Sequence, residues 1–302
     1  LFKTLTDHTA VVRSVKFSPD GTLLATAGDD KTIKLWRRDG TLLRTLKTHG
    51  SEVWSIAFSP DSSTLISGGL DRSVELWSRS GEWLMTFPGD QTGVRGVAFS
   101  PDGQTVAAGD AGVTISLWNR DGSQHRVLTG HDVPVQTVAF RPDGRTLVSG
   151  DSDGVIKLWH RDGTLLKTIQ GHNTGIWSLD FSPDGSMFAS ASADKTVKLW
   201  RPDGSLLTTL QGHDAAVWGV AFSPDGQAIA SAGADNTTLL WKTESAFQRT
   251  IYGNTDLTLA LVFNQTGTAI ASVGNDKTIH RWQLDGTPLP AINAHDAATR
   301  KI

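Results

Sequence analysis

The chain has 302 residues, 28 basic and 31 acidic side chains, a formal net charge of −3 and no cysteine. The charges are interspersed, so there is no basic stripe for duplex nucleic acid. No apolar run is long enough to span a bilayer, and no cationic-then-apolar leader opens the sequence. Without cysteine there are no disulfides and no thiolate metal sites. This fits a reducing, cytoplasmic setting. The start at Leu1, in the middle of a pattern, leads us to expect a monomeric domain of a larger chain.

Seven tryptophans mark a period of 41 residues: Trp36, Trp77, Trp118, Trp159, Trp200, Trp241 and Trp282. A fixed period of this size signals a repeat architecture. In chain order, the first element is a short outer strand at residues 1–6, in the phase of the internal segment Leu42–Leu46. The repeating unit follows and is clearest from His172 to Gln211. Ile176–Ser182 reads as a strand, Pro183-Asp184-Gly185 as a turn, and Met187–Ser192 as a second strand. After the turn at Ala193-Asp194-Lys195, Thr196–Arg201 reads as a third strand, rich in β-branched and aromatic residues, and Ser205–Gln211 as a fourth. The tail, residues 288–302, repeats the phase of residues 1–15. We expect residues 1–6 to close the last unit, because Pro288 and Pro290 weaken the duplicate as a strand.

The inner strands are apolar on both faces, so each sheet needs cover on both sides. Seven sheets of equal length arranged radially cover one another. The predicted fold is all-β: a single seven-bladed β-propeller of four-stranded antiparallel blades over residues 1–302.

The 41-residue period, the Gly-His pairs at 130–131, 171–172 and 212–213, and the strand-ending Trp resemble WD40 repeats. The residue after that Trp is never Asp, a variation common in the family. The resemblance implies a buried hydrogen-bond chain in each blade, from Trp to Ser or Thr, to His, to Asp. By position the sets are Trp36, Thr26, His8 and Asp30; Trp77, Ser67, His49 and Asp71; Trp159, Ser149, His131 and Asp153; Trp200, Ser190, His172 and Asp194; and Trp241, Ser231, His213 and Asp235. Recurrence in five blades argues for a structural role rather than a catalytic triad. Blade 3 departs, with Asp90, Ala108 and Gly112 at the three polar positions. Blade 7 has Asn254 for His and keeps Ser272 and Asp276. Blade 3 is therefore expected to be the least tied, by drift or with loops that adapt to a ligand.

Function is expected where the repeat varies. Five residues after the His position stand Arg13, Trp54, Arg95, Gln136, Trp177, Trp218 and Leu259. The resemblance implies that this column forms a contact ring at the channel mouth, with Glu52 and Asp29 contributing. Three Trp and two Arg among seven positions are hot-spot residue types. The Trp faces either bind a peptide side chain or a cation, or fold down and plug the channel. Trp83 falls in an outer strand. The expected function is a non-catalytic scaffold or sensor that binds a protein or peptide on the top face, without metal or cofactor. Near-uniform repeats of this type resemble bacterial sensor arrays of signalling NTPases or kinases. The alternative is a propeller that binds a small ligand or carbohydrate.

Overall fold

The computed structural model describes residues 5–47, 49–88, 92–243, 247–252 and 256–289. Seven antiparallel sheets follow one another along the chain. Six have four strands in sequential order and the last has three. In blade 1 the strands are Val12–Phe17, Leu23–Gly28, Ile33–Arg37 and Leu42–Leu46. The first strand of every blade packs beside those of its two neighbours, and blade 7 packs beside blade 1, so the ring is closed.

The turns follow from the local sequence. In Ser18-Pro19-Asp20-Gly21, the Ser18 hydroxyl donates to Asp20 at 2.6 Å and accepts the Leu23 N–H at 2.9 Å. Gly21 supplies the left-handed φ of +66° that closes the turn. Between strands two and three the left-handed position falls on Lys31, Arg72, Lys195, Asn236 and Lys277. That conformation is uncommon for such residues. The preceding Asp holds it: Asp30 accepts the Thr32 N–H at 3.1 Å and the Thr32 hydroxyl at 2.7 Å.

The core lies between blades rather than within them. Trp77 is buried with Leu23, Ala25 and Ile33 of blade 1, and Trp36 with Ala271 and Val273 of blade 7. Each tryptophan is thus a wedge against the preceding blade. Its N–H is satisfied inside its own blade. Trp36 Nε1 donates to Thr26 at 2.9 Å, Thr26 Oγ1 lies 2.8 Å from His8 Nε2, and His8 Nδ1 lies 2.8 Å from Asp30. The same chain is present in blade 2 through Trp77, Ser67, His49 and Asp71. Blade 5 has it through Trp200, Ser190, His172 and Asp194, and blade 6 through Trp241, Ser231, His213 and Asp235. Burial opposes ionisation of Asp30 and Asp71, but hydrogen bonds and charge from His8 and His49 outweigh it, leaving both carboxyls well below the ordinary range.

Blade 4 corrects the sequence assignment of Asp153. His131 Nδ1 lies 2.7 Å from Asp151, whereas Asp153 is exposed and only its N–H bonds to Asp151. The position of Asp151 is Gly69 in blade 2 and Gly233 in blade 6. A Cβ at Gly233 would stand 2.4 Å from His213 Nδ1 and 2.6 Å from Asp235 Oδ1. A carboxylate can thus reach the histidine from either of two positions, but not from both.

The other exceptions are satisfied differently. In blade 3 Asp90 lies outside the described residues, and Trp118 donates to the Pro88 carbonyl at 2.8 Å. Asp110 accepts from Gly112 N–H, Thr114 N–H and the Thr114 hydroxyl. In blade 7 Asn254 lies outside the described residues. There His280, on the third strand, lies 3.0 Å from Asp276.

The outer position of blade 7 is shared. Leu5, 3% exposed, bridges Ile279 through hydrogen bonds of 3.4 and 3.2 Å. Pro288 bridges Trp282, and Leu289 N–H donates to the Arg281 carbonyl at 2.9 Å. These pairings correspond to Ile33 with Leu46 and Trp36 with Leu42 in blade 1. Residues 1–4 and 290–302 lie outside the described residues.

Candidate functional site: the channel mouth

The variable column has one backbone cause. The ladder between strands one and two shifts by one residue in every blade, between Val12 and Ser14 in blade 1 and between Ile176 and Ser178 in blade 5. The skipped residues are Arg13, Trp54, Arg95, Gln136, Trp177, Trp218 and Leu259. A β-bulge leaves one residue unpaired and re-aims its side chain. Here all seven line one central cavity of about 140 Å³. Just above it, the column Val11, Glu52, Gly93, Pro134, Gly175, Ala216 and Leu257 accepts backbone N–H groups from the loops between strands two and three, fixing the rim.

Around half of the mouth the side chains form a linked arc. Arg13 makes a two-point pair with Asp29, at 2.8 and 2.6 Å. The guanidinium carbons of Arg13 and Arg95 stand 5.1 and 4.6 Å from the Trp54 ring centroid, so this indole carries two cations. Arg95 donates to Gln136 at 3.3 Å, and Gln136 donates to Ser152 at 2.6 Å. Burial pulls the Arg95 pKa below its ordinary value. Glu52 takes the Ser51 hydroxyl, which with nearby Lys31 and Arg13 holds its carboxyl down. On the other half, the Trp177 and Trp218 rings lie 4.5 Å apart at 32°, so each covers a face of the other. Leu259 is 8% exposed.

Four donors in this ring are sealed from solvent without an acceptor among the described residues: Nε1 of Trp54, Trp177 and Trp218, and Nε of Arg95. Such groups are uncommon in folded proteins and mark places that need an explanation. Deeper in the channel, burial pushes the Asp180 carboxyl up to about 6, opposed by Lys16 and by the Phe222 N–H at 2.7 Å.

Ser67, Ser149, Ser190 and Ser231 are fully buried, and each hydroxyl already holds a Trp N–H and a His ring nitrogen. Among the described residues no group of three His, Cys, Asp or Glu is placed to hold a metal ion. Trp83 is 54% exposed on its outer strand and donates to Glu75 at 2.6 Å. Sequence stacking missed His280, whereas Ser152 fixes Gln136 from the loop between strands two and three. A histidine inside the third strand of blade 7, a unit that lacks His at the usual position, was the available signal.

The family described as "IFT122 first beta-propeller" matches residues 1–161 and, a second time, residues 134–302. The chain is also similar to the WD repeat-containing protein SL1-17 of Schistosoma mansoni, at 60% identity over 40 residues. That stretch is 13% of this chain and 13% of the relative, about one repeat in length. With the period, the closed ring and the strand-ending tryptophans, these matches place the fold: the chain belongs to the WD-repeat β-propellers, in the group described by the IFT122 first propeller.

Proposed function

We propose that this propeller is a non-catalytic interaction module that docks a protein or peptide on its top face, at the mouth built by the seven bulges. WD-repeat propellers are generally non-catalytic scaffolds, which supports the class. The observation that carries the reading is the set of four sealed, acceptor-less donors in Trp54, Arg95, Trp177 and Trp218. A buried donor without a partner costs about 1–3 kcal/mol. A docked segment that parts the Trp177–Trp218 pair and supplies acceptors removes that cost, and it gains aromatic contact area in the same step.

The test is selection from a displayed random-peptide library on the intact chain. Enriched peptides should share a motif and lose at least tenfold in affinity on Trp177→Ala/Trp218→Ala, with the melting temperature checked separately. Peptides that bind the double variant as tightly as the parent would place docking elsewhere.

A further inference from the structure

On the lower face an Arg–Asp pair ties three consecutive junctions, and at a fourth the Arg is kept while its carboxylate is missing. The second residue after the blade tryptophan is Arg79 in blade 2, Arg120 in blade 3 and Arg161 in blade 4. Each reaches back to an Asp in the first turn of the preceding blade: Arg79 to Asp20 at 2.7 Å, Arg120 to Asp61 at 2.9 Å and Arg161 to Asp102 at 2.6 Å. Arg38 is the blade 1 member of this series. The preceding blade is blade 7, whose turn reads Asn264-Gln265-Thr266-Gly267, so Thr266 stands where the carboxylate belongs.

A second departure converges on the same place. The residue before the blade tryptophan is Leu35, Leu76, Leu117, Leu158, Leu199 and Leu240 in blades 1 to 6, all buried between blades. In blade 7 it is Arg281. Arg38, Arg281 and Thr266 line one cavity of about 390 Å³ at the junction of blades 7 and 1. Neither guanidinium has an ion-pair or hydrogen-bond partner among the described residues. The Arg281 pKa is pulled down by burial first and by the Arg38 charge second, with Asp39 partly offsetting them from outside the lining. The remaining wall combines polar Gln265 and Thr268 with apolar Phe17 and Ile270.

We propose that this seam cavity is a binding site for a phosphate group, free or as the monoester of a small molecule. A phosphate dianion replaces the carboxylate missing at Thr266 and serves both guanidinium groups, which suit bidentate oxyanion binding. A monocarboxylate satisfies only one of them. The volume falls in the range of small-ligand sites and leaves room for an ester group against Phe17 and Ile270. The site lies on the opposite face from the peptide-docking mouth and does not depend on it.

The test is calorimetric titration and thermal unfolding of the whole chain at constant ionic strength, set with chloride. The probes are inorganic phosphate, phenyl phosphate and benzoate. Phosphate and phenyl phosphate should raise the melting temperature by about 5 °C at roughly 100 times their dissociation constants. Benzoate should bind at least tenfold more weakly than phenyl phosphate. Phenyl phosphate binding tenfold tighter than inorganic phosphate identifies an ester as the ligand, and equal affinity identifies free phosphate. Arg281→Leu restores the leucine column, and Thr266→Asp supplies the missing carboxylate. Each should fold and lose at least tenfold in phosphate affinity. Phosphate affinity unchanged in both variants, benzoate binding as tightly as phenyl phosphate, or no shift beyond that of chloride overturns the proposal.

Discussion

Replacing Asp151 and Asp153 separately by alanine sets the structure against the repeat register. The Asp151 side chain is 3% exposed. One oxygen lies 2.7 Å from His131, and the other accepts the N–H groups of Asp153 at 3.0 Å and Val155 at 2.9 Å. Asp151→Ala removes all three hydrogen bonds and leaves His131, itself 1% exposed, without its partner. Breaking a buried pair of this kind costs about 3–5 kcal/mol. Asp153 projects its carboxylate into solvent, so Asp153→Ala should stay within about 0.5 kcal/mol. Urea titration followed by tryptophan fluorescence measures both. In thermal melts the first variant should fall by roughly 6–15 °C and the second by no more than about 2 °C. A larger loss for Asp153→Ala than for Asp151→Ala would refute the assignment and restore the strict 41-residue register.

Burial lowers the pKa of His172 and His213. Their neutral forms therefore favour folding above the unfolded value of about 6.5, and that contribution is lost as pH falls through the folded value; midpoint urea concentrations should drop between pH 7.5 and 5.5, and less so in His172→Gln. Asp180 has the opposite sign: its raised pKa costs stability above about 6 and nothing below the unfolded value. Asp180→Asn should thus stabilise by about 1–3 kcal/mol at pH 8 and lose the advantage by pH 4, and a pH-independent effect would point to packing instead. Ala108→Ser restores the family hydroxyl in blade 3 but should destabilise by about 1–3 kcal/mol, because the Trp118 N–H is already given to Pro88 and the new hydroxyl is buried; a more stable variant would show that Trp118 switches partners. Leu5→Ala should cost about 2–5 kcal/mol by emptying a site among Val12, Trp36 and Ile279, and an unchanged melting temperature would show that Leu5 does not hold the ring closed.

The fold was legible because it is written many times over. A strand read once from Thr196 to Arg201 is ambiguous, but its copies remove the ambiguity. The column Arg13 to Leu259 was also legible, as the place where the copies disagree. Its cause was not, because a bulge is a property of pairing between two strands and neither strand shows it alone. Asp153 was misassigned for a related reason. Counting along the chain puts it in register with Asp30, but what the site requires is an oxygen beside His131, and Asp151 supplies that through the space its glycine counterparts leave empty. The seam cavity needed three dimensions, since Arg38 and Arg281 are far apart in sequence and meet only when blade 7 closes on blade 1.

The seven bulges also separate two problems that most binding proteins must solve together. A bulged residue lies outside the ladder register, so changing it breaks no strand pairing. At these positions the chain already holds a cation, an amide, an indole and an alkyl side chain on nearly identical frameworks. The channel mouth is therefore a rewritable panel of seven fixed addresses. Recombining side chains there, in the laboratory or by drift among duplicated repeats, should yield new specificities on an unchanged scaffold.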